Sequence, residues 1–420
     1  SGLNRRPFPY HGNALPTELG RHLIKQSISQ FLTFWYGIVL LYMKKPNLKT
    51  WVEIDKKAIL SNIKTIRRVL KKKPKLYAVV KSNAYGHALR EFSLIANSRV
   101  DGFCVDSVYE GETLRDIKIK KPIIVLGPTL TRFDFELAVK NNLEITISTF
   151  ESLKQISRAK KSPDFYIKVD TGMHRQGFFV KDSKKVIDFI KKKGLRDNLK
   201  GVYTHFASAK DVGYPDYTNR QIEEFKTVRK MFQKAGFKKI LFSACATGGA
   251  ILYPQTHFDM VRIGIGLYGY WPSKESLVQH TLITKKDLLL KSALSWKTKV
   301  SEVKRLKKGN FVGYDLSEKL KKDTTVAIVP IGYWHGLSMS FSRKGQMLIR
   351  GKRCRIIGRV SMDLTIVECD GGDIKIGDTV TIIGKSKNEK LSADDLAETA
   401  GTINYEILTT INPFIKRKVV

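Results

Sequence analysis

The run "AVVKSNAYGHA", residues 78–88, decides how the rest of the chain is read. Leu76, Tyr77, Ala78, Val79 and Val80 form an apolar run that predicts a short buried strand. It ends at Lys81, and Ser82, Asn83, Ala84, Tyr85, Gly86 and His87 follow as a mostly polar turn. A lysine at the mouth of a strand has two readings. It marks where the strand meets water, or it is a partly desolvated amine that gives up its proton and acts as a Schiff-base nucleophile. The strand alone favours the first reading, so the context has to decide.

That context is an alternation. Residues 58–72 place Ile59, Ile63, Ile66 and Leu70 at helical spacing. Strand-like runs then recur: "GFCVD" (102–106), "PIIVLG" (122–127), "LEITIS" (143–148), "DFYIKVD" (164–170), "KGVYTHF" (200–206), "KILFSA" (239–244) and "FDMVRIGIG" (258–266). Segments of helical length separate most of them, such as "DSKKVIDFIKKKG" (182–194), whose last glycine suits a C-cap. Buried strands alternating with helices predict a parallel sheet, and eight repeats favour a closed (β/α)8 TIM-type barrel. After about residue 285 the runs become β-rich with glycine turns, as in "GQMLIRGKRCRIIGRVSMDLTIVECD". They predict a mostly antiparallel C-terminal β domain. One helix, 392–401, has Ser392 as its N-cap. The expected organisation is an N-terminal extension over 1–50, a barrel domain over 51–285 and a β domain over 286–420.

Composition narrows the function. The chain has 420 residues, 42% of them hydrophobic, which suits a globular protein. Its net charge of +36 would suit a nucleic-acid binder. The lysines, however, are spread in short clusters such as 71–73 and 191–193, with no basic tail. This pattern argues for a solvated surface with weak adhesion to anions and against a specific nucleic-acid partner. Cys104, Cys245, Cys354 and Cys369 have no metal-site or framework spacing, so no metal is expected and a reducing cytoplasm fits. The apolar stretch "FLTFWYGIVLLYM" (31–43) is shorter than the roughly 20 residues of a membrane helix. No small-residue cleavage site follows it. Met43 is the first methionine, and the natural chain is expected to start there, with 1–42 as upstream sequence read in frame. No membrane partner is expected.

Chemistry in a barrel gathers where the strands end. Strand one delivers Lys81 and leads to Tyr85. Strand five runs into "KVDTGMHRQGF", with Lys168, Asp170 and Arg175. Strand six ends in "YTHFASAKD", with Tyr203 and His205. Strand seven leads to "SACATGGA", with Thr247, and strand eight carries Arg262 followed by Gly264, Ile265 and Gly266. Each has a plain structural explanation when taken singly: a satisfied histidine, a turn, an ion pair. Together they offer a lysine nucleophile, an aromatic or imidazole face, a buried arginine and glycine-rich turns. A phosphorylated aldehyde cofactor needs that set, and backbone N–H groups near strands seven and eight can hold its phosphate.

Across residues 51–420 the motifs "AVVKSNAYGHA", "KVDTGMHRQGF", "YTHFASAKD", "MVRIGIGLYG", "VGYD", "PIGYWHG", "GRVSMD" and "TINYE" resemble those of the bacterial alanine racemase family. These are pyridoxal-phosphate enzymes of fold-type III. The resemblance implies a barrel, a C-terminal β domain and a cytoplasmic homodimer with shared active sites. It implies an isomerase that interconverts L- and D-alanine for peptidoglycan in the cell wall. Lys81 then matches the Schiff-base lysine and one catalytic base, and Tyr314 the opposite base, supplied by the partner subunit. Arg262 matches the arginine facing the pyridine nitrogen, and His205 the residue against the cofactor ring. Tyr85, Thr247, Gly264, Ile265 and Tyr405 match the phosphate cradle. Arg175 matches the arginine near the substrate carboxylate, Met362 and Asp363 the pocket edge, and Tyr333 the entryway tyrosine. Lys168 falls where some members carry a carbamylated lysine.

Two motifs depart from the family pattern. Trp334 and His335 stand where "GYADG" is common, and Asp315 follows Tyr314 where glycine is usual. The alternatives at this point are a racemase of serine or a broader set of small amino acids, and a basic-amino-acid decarboxylase of the same fold type. Arg262 speaks against the decarboxylase, in which a carboxylate is expected opposite the ring nitrogen. A single-barrel pyridoxal-phosphate carrier is the non-enzyme alternative, and the β domain with Tyr314 speaks against it.

Overall fold

In the computed structural model, which describes residues 48–71, 73–210, 215–285, 287–369 and 373–420, the eight expected strands form one parallel sheet. They are Lys75–Val79, Gly102–Val105, Ile123–Pro128, Glu144–Ile147, Asp164–Asp170, Leu199–Tyr203, Leu241–Ser243 and Met260–Ile263. Strands one to seven pair in chain order, and strand eight pairs with strand one, with Met260 opposite Lys75. Strands seven and eight are stitched by Asp259 N–H to Phe242 O (3.1 Å) and Arg262 N–H to Cys245 O (3.2 Å). The result is the expected eight-stranded barrel, nearly closed. The stretch 31–43 and the expected start at Met43 lie outside the described residues. Among the described residues, no helix is long and apolar enough to cross a membrane.

The two-residue period of the strands divides their side chains. Tyr77, Val79, Cys104, Ile124, Tyr166, Tyr203 and Met260 pack together and fill the lumen. Their strand neighbours, among them Ala78, Val80, Phe103, Ile167, Val202 and Ile263, belong to the larger core with the helices. Helix Lys56–Val69 contributes Ile59, Ile63 and Ile66 to that core, as its spacing predicts. Ser107, Thr131 and Thr149 cap the helices that follow strands two, three and four. Each cap satisfies an otherwise unpaired N–H at the end of the barrel where the strands finish.

The second sheet is antiparallel through Glu302–Leu306, Thr324–Val329, Thr365–Glu368, Lys352–Ile357, Gln346–Ile349, Thr379–Ser386 and Leu294–Lys299. It continues into Thr50–Ile54, the strand that precedes the barrel in sequence, and then into Lys416–Val419, which runs parallel to it. Helix Ala393–Ala400 is capped by Ser392, with Asp395 completing a capping box.

Between strand one and its helix the chain does something that apolar spacing does not announce. Ser82, Asn83, Ala84 and Tyr85 have φ of 55°, 54°, 52° and 52°, and Gly86 follows at 79°. A left-handed residue other than glycine costs about 1–2 kcal/mol, so the turn must be held from outside. Ser82 N–H donates to Glu110 Oε1 (2.7 Å) and Leu89 N–H to Asn83 Oδ1 (2.9 Å). Arg417, on the last strand, donates from Nε to Gly86 O (3.2 Å) and also bonds the carbonyls of Ile411, Asn412 and Ile415. A Cβ on Gly86 would lie 2.1 Å from Leu408 O. Replacing Gly86 by Ala therefore adds backbone strain and a backbone clash together. We expect Gly86→Ala to lose about 2–4 kcal/mol in urea denaturation, whereas a loss under 1 kcal/mol would mean the turn relaxes freely.

Candidate functional site

The inward register continues past the strand ends and builds one cavity. Tyr77 and Val79 face the lumen, so Lys81 is next on that face of strand one. Tyr166 is followed by Lys168 and Asp170 on strand five, Tyr203 by His205 on strand six, and Met260 by Arg262 on strand eight. All of these upper residues line a cavity of about 1230 Å³, with Tyr85, Arg175, Thr247, Gly264, Ile265 and Tyr405. Ten of the site residues expected from sequence are thus brought together at the C-terminal end of the barrel.

Arg262 is buried and stands over the ring of Tyr203, 4.6 Å from its centroid. Its guanidinium donates to Ser243 Oγ, to Thr204 O (2.6 Å) and to Ala244 O (3.4 Å). Among the described residues no carboxylate pairs with it. A buried cation without a counter-charge is costly, and burial accordingly lowers its pKa. The cost spreads to its neighbours. His205 is lowered from 6.5 to about 3, first by burial and then by Arg262 and Arg175. Lys168, which donates to Gln176 Oε1 (2.8 Å), is lowered from 10.5 to about 8 by burial and the same two arginines.

Lys81 Nζ lies 3.3 Å from Asp106 Oδ1, and both side chains are partly exposed. Glu110 bridges this pair to the left-handed turn by accepting Asp106 N–H (2.7 Å) as well as Ser82 N–H. The corner by strands seven and eight is built from small parts. Thr247 Oγ1 accepts Gly266 N–H (3.3 Å). At Gly264 a Cβ would stand 2.6 Å from Tyr85 Oη. Tyr85 stacks on Tyr268 at 4.8 Å and lies 5.9 Å from Tyr405. Asp170 accepts Gly172 N–H (2.9 Å) and His174 N–H (3.0 Å), which shapes the loop that carries Arg175.

Four of the expected residues are not in this cavity. Tyr314 is 67% exposed, and Tyr333, Met362 and Asp363 are also exposed, all within the C-terminal half. Asp315, the departure beside Tyr314, has φ 58° and pairs with Arg359 at 2.7 Å. The left-handed backbone explains why glycine suits that position. Asp106, Glu110 and Gln176 were missed by sequence reasoning. The period-two register was the available signal for Asp106, two residues beyond the lumen residue Cys104. Glu110 and Gln176 gave none. Among the described residues, no group of three His, Cys, Asp or Glu side chains is placed to hold a metal ion.

The chain is similar to known proteins over most of its length. Residues 54–272 match the family described as alanine racemase, N-terminal domain, and residues 293–419 the alanine racemase, C-terminal domain. An alanine racemase of Leptospira interrogans is 35% identical over 379 residues, which is 90% of this chain and 97% of the relative. One from Clostridium perfringens is 36% identical over 375 residues, 87% of this chain and 94% of the relative. The crystal structure of alanine racemase from Bacillus anthracis, with bound L-Ala-P, superposes with a TM-score of 0.81 at 32% identity. That match covers 89% of this chain and 95% of the other.

The buried imidazole is testable by itself. Unfolded, His205 protonates near 6.5; folded, only near 3. Its contribution to stability is therefore whole above pH 6.5 and is lost as pH falls through that window. We expect the His205 ring signals in NMR to stay fixed between pH 8 and 5. A folded His205→Asn variant should lose about 1–2 kcal/mol less stability than the parent between pH 7 and 5. A ring that titrates near 6.5 would contradict its burial among the arginines.

Proposed function

The chain belongs to the alanine racemase family and is an amino-acid racemase interconverting L- and D-alanine; from that premise we propose how its own residues carry out the reaction. The cofactor these residues fit is pyridoxal 5'-phosphate, which Lys81 would hold through its aldehyde. Arg262 would serve its ring nitrogen and His205 its ring face. Thr247, Gly264, Ile265, Tyr85 and Tyr405 would take its phosphate. The support for this fit is a cation-rich cavity with an amine at one side and a corner at the other. In that corner Gly264 faces a tyrosine hydroxyl too close for any Cβ. Bound there, the cofactor supplies the electron sink that makes the α-proton of alanine removable. Arg262 keeps its own proton and so gives none to the ring nitrogen, which keeps that sink modest.

Racemisation needs a proton taken from one face of Cα and one delivered to the other. Lys81 Nζ serves one face. The tyrosines lining the cavity make poor candidates for the second. Burial pushes Tyr203 up to about 12 and raises Tyr85 and Tyr405 as well, so all three hold their protons. Tyr314 is the residue that the family resemblance matches to the opposite base. It stands exposed and outside its own chain's cavity, and Leu316, Trp334, Met362 and Leu364 are likewise exposed apolar side chains. We assign it as the second base, delivered to the cavity of a second copy of the chain, with Tyr333, Met362 and Asp363 closing the pocket there. Large exposed apolar side chains such as these are what a homodimer would cover. The single observation that carries the reading is this split, with Lys81 inside the barrel and Tyr314 outside it.

Arg175 takes the substrate carboxylate. Lys168 is the position for a carbamate, and its lowered pKa of about 8 leaves enough free amine near neutrality to take up carbon dioxide. We place the enzyme in the cytoplasm, supplying D-alanine for peptidoglycan.

The test follows the circular dichroism of L-alanine with the chain and added pyridoxal phosphate. The signal should decay to zero with the amino acid intact. Lys81→Ala and Tyr314→Phe should each be nearly inactive alone. Co-expressed, they should recover about a quarter of parental activity, because half of the dimers are mixed and each mixed dimer holds one complete site. Absence of recovery from stable mixed dimers would place both bases in one chain.

A further inference from the structure

The departure "GYWHG" places a histidine inside the protein. The His335 side chain is only 5% exposed. Its Nδ1 accepts Gly332 N–H (3.2 Å), and its ring meets the Trp334 ring edge-on at 5.1 Å. The same turn holds the loop beside it. Tyr333 N–H donates to Ser361 O (3.0 Å) and Trp334 N–H to Met362 O (3.1 Å). On the other side, Asn412 N–H donates to His335 O (3.1 Å) and Asn412 Nδ2 to Trp334 O (2.8 Å). Gly332 runs close against the neighbouring loop, and a Cβ there would lie 2.1 Å from Ser361 O. The carboxylate of Asp363 is 3.9 Å from His335 Nδ1.

This leaves His335 Nδ1 with two competing partners, and the proton decides between them. Unprotonated, it accepts Gly332 N–H and keeps the turn against Ser361 and Met362. Protonated, it cannot accept, and its new donor faces the Asp363 carboxylate. We propose that His335 is a positioning residue for substrate binding. Its unprotonated Nδ1 fixes the edge formed by Tyr333, Met362 and Asp363, and its protonation pulls Asp363 out of place. The proposal rests on the assignment of those three residues to the substrate pocket. The charged groups bearing on His335 are Asp363, which favours protonation, and Lys49, which opposes it. Burial outweighs Asp363, so the ring protonates below 6.5. The edge is therefore held at neutral pH and released as the medium becomes acid.

His335→Asn and His335→Leu test this in the full-length holoenzyme. Asn keeps an acceptor for Gly332 N–H but cannot titrate. The parent's KM for L-alanine should rise as pH falls below 6.5, and that rise should vanish in His335→Asn. In His335→Leu, KM at pH 8 should rise roughly fivefold to tenfold with kcat within about twofold, since a binding edge is lost and not a reacting group. In ¹⁵N-histidine NMR, the resonance that disappears in His335→Asn should be a neutral ring with Nδ1 unprotonated at pH 8. A parental pH profile retained by His335→Asn would overturn the proposal. So would a neutral ring protonated at Nδ1, or a His335→Leu variant in which kcat, KM and cofactor content fail together. A parent that leaves alanine unchanged would sink the functional reading, and the histidine spectrum would still decide the geometry.

Discussion

Arg262 is a guanidinium buried inside a barrel, resting on the ring of Tyr203 and bonded to carbonyls and a hydroxyl. Much of the site follows from that one placement. A largely buried cation that no carboxylate among the described residues offsets discourages every neighbouring positive charge. His205 is kept neutral and Lys168 is brought to about 8. The lumen beneath makes the placement possible. Tyr77, Tyr166 and Met260 fill the barrel floor, so Arg262 stands one layer above a packed core at the base of an open cavity.

Lys81 depends on a different constraint. It is the last inward residue of strand one, and the chain leaves it through five consecutive left-handed residues. Such a turn does not hold itself. Glu110 fixes its start, and Arg417 and Leu408, from the C-terminal half, fix its end at Gly86. The two halves of the chain are therefore not a catalytic barrel with an appendage. The second sheet contains the strand that precedes the barrel and, through Arg417, holds the turn that carries Tyr85, while Tyr314 stands exposed in the connection of a separate hairpin, Phe311–Val312 with Glu318–Lys319.

Much of this was legible in the sequence, and the limits have physical causes. Local period marked all eight barrel strands, with Asp164–Asp170 matching at both ends. The same period aims Lys81, Lys168, His205 and Arg262 inward. Thr50–Ile54 was not placed, because its partners lie near residues 294–298 and 416–419 and pairing at that distance leaves no local trace. Only Gly86 and Asn83 hinted at the left-handed turn; Ala84 and Tyr85 have no preference for it, and tertiary contacts overrule them. The separation of Tyr314 from the cavity was implied by family resemblance, and no periodicity contained it. Nor did the sequence tell that His335 is buried while Trp334, beside it, is half exposed.

The central claim is that two different groups handle the proton on the two faces of Cα. The most direct measurement starts with protiated L-alanine in D₂O, quenches at a few per cent conversion and weighs the separated enantiomers. The account predicts that newly formed D-alanine carries deuterium at Cα in nearly every molecule, because its proton comes from a second group, different from the one that removed the substrate's proton, that exchanges with solvent. D-alanine that retains the substrate's own protium would mean that one base swings between the faces, and would contradict the account.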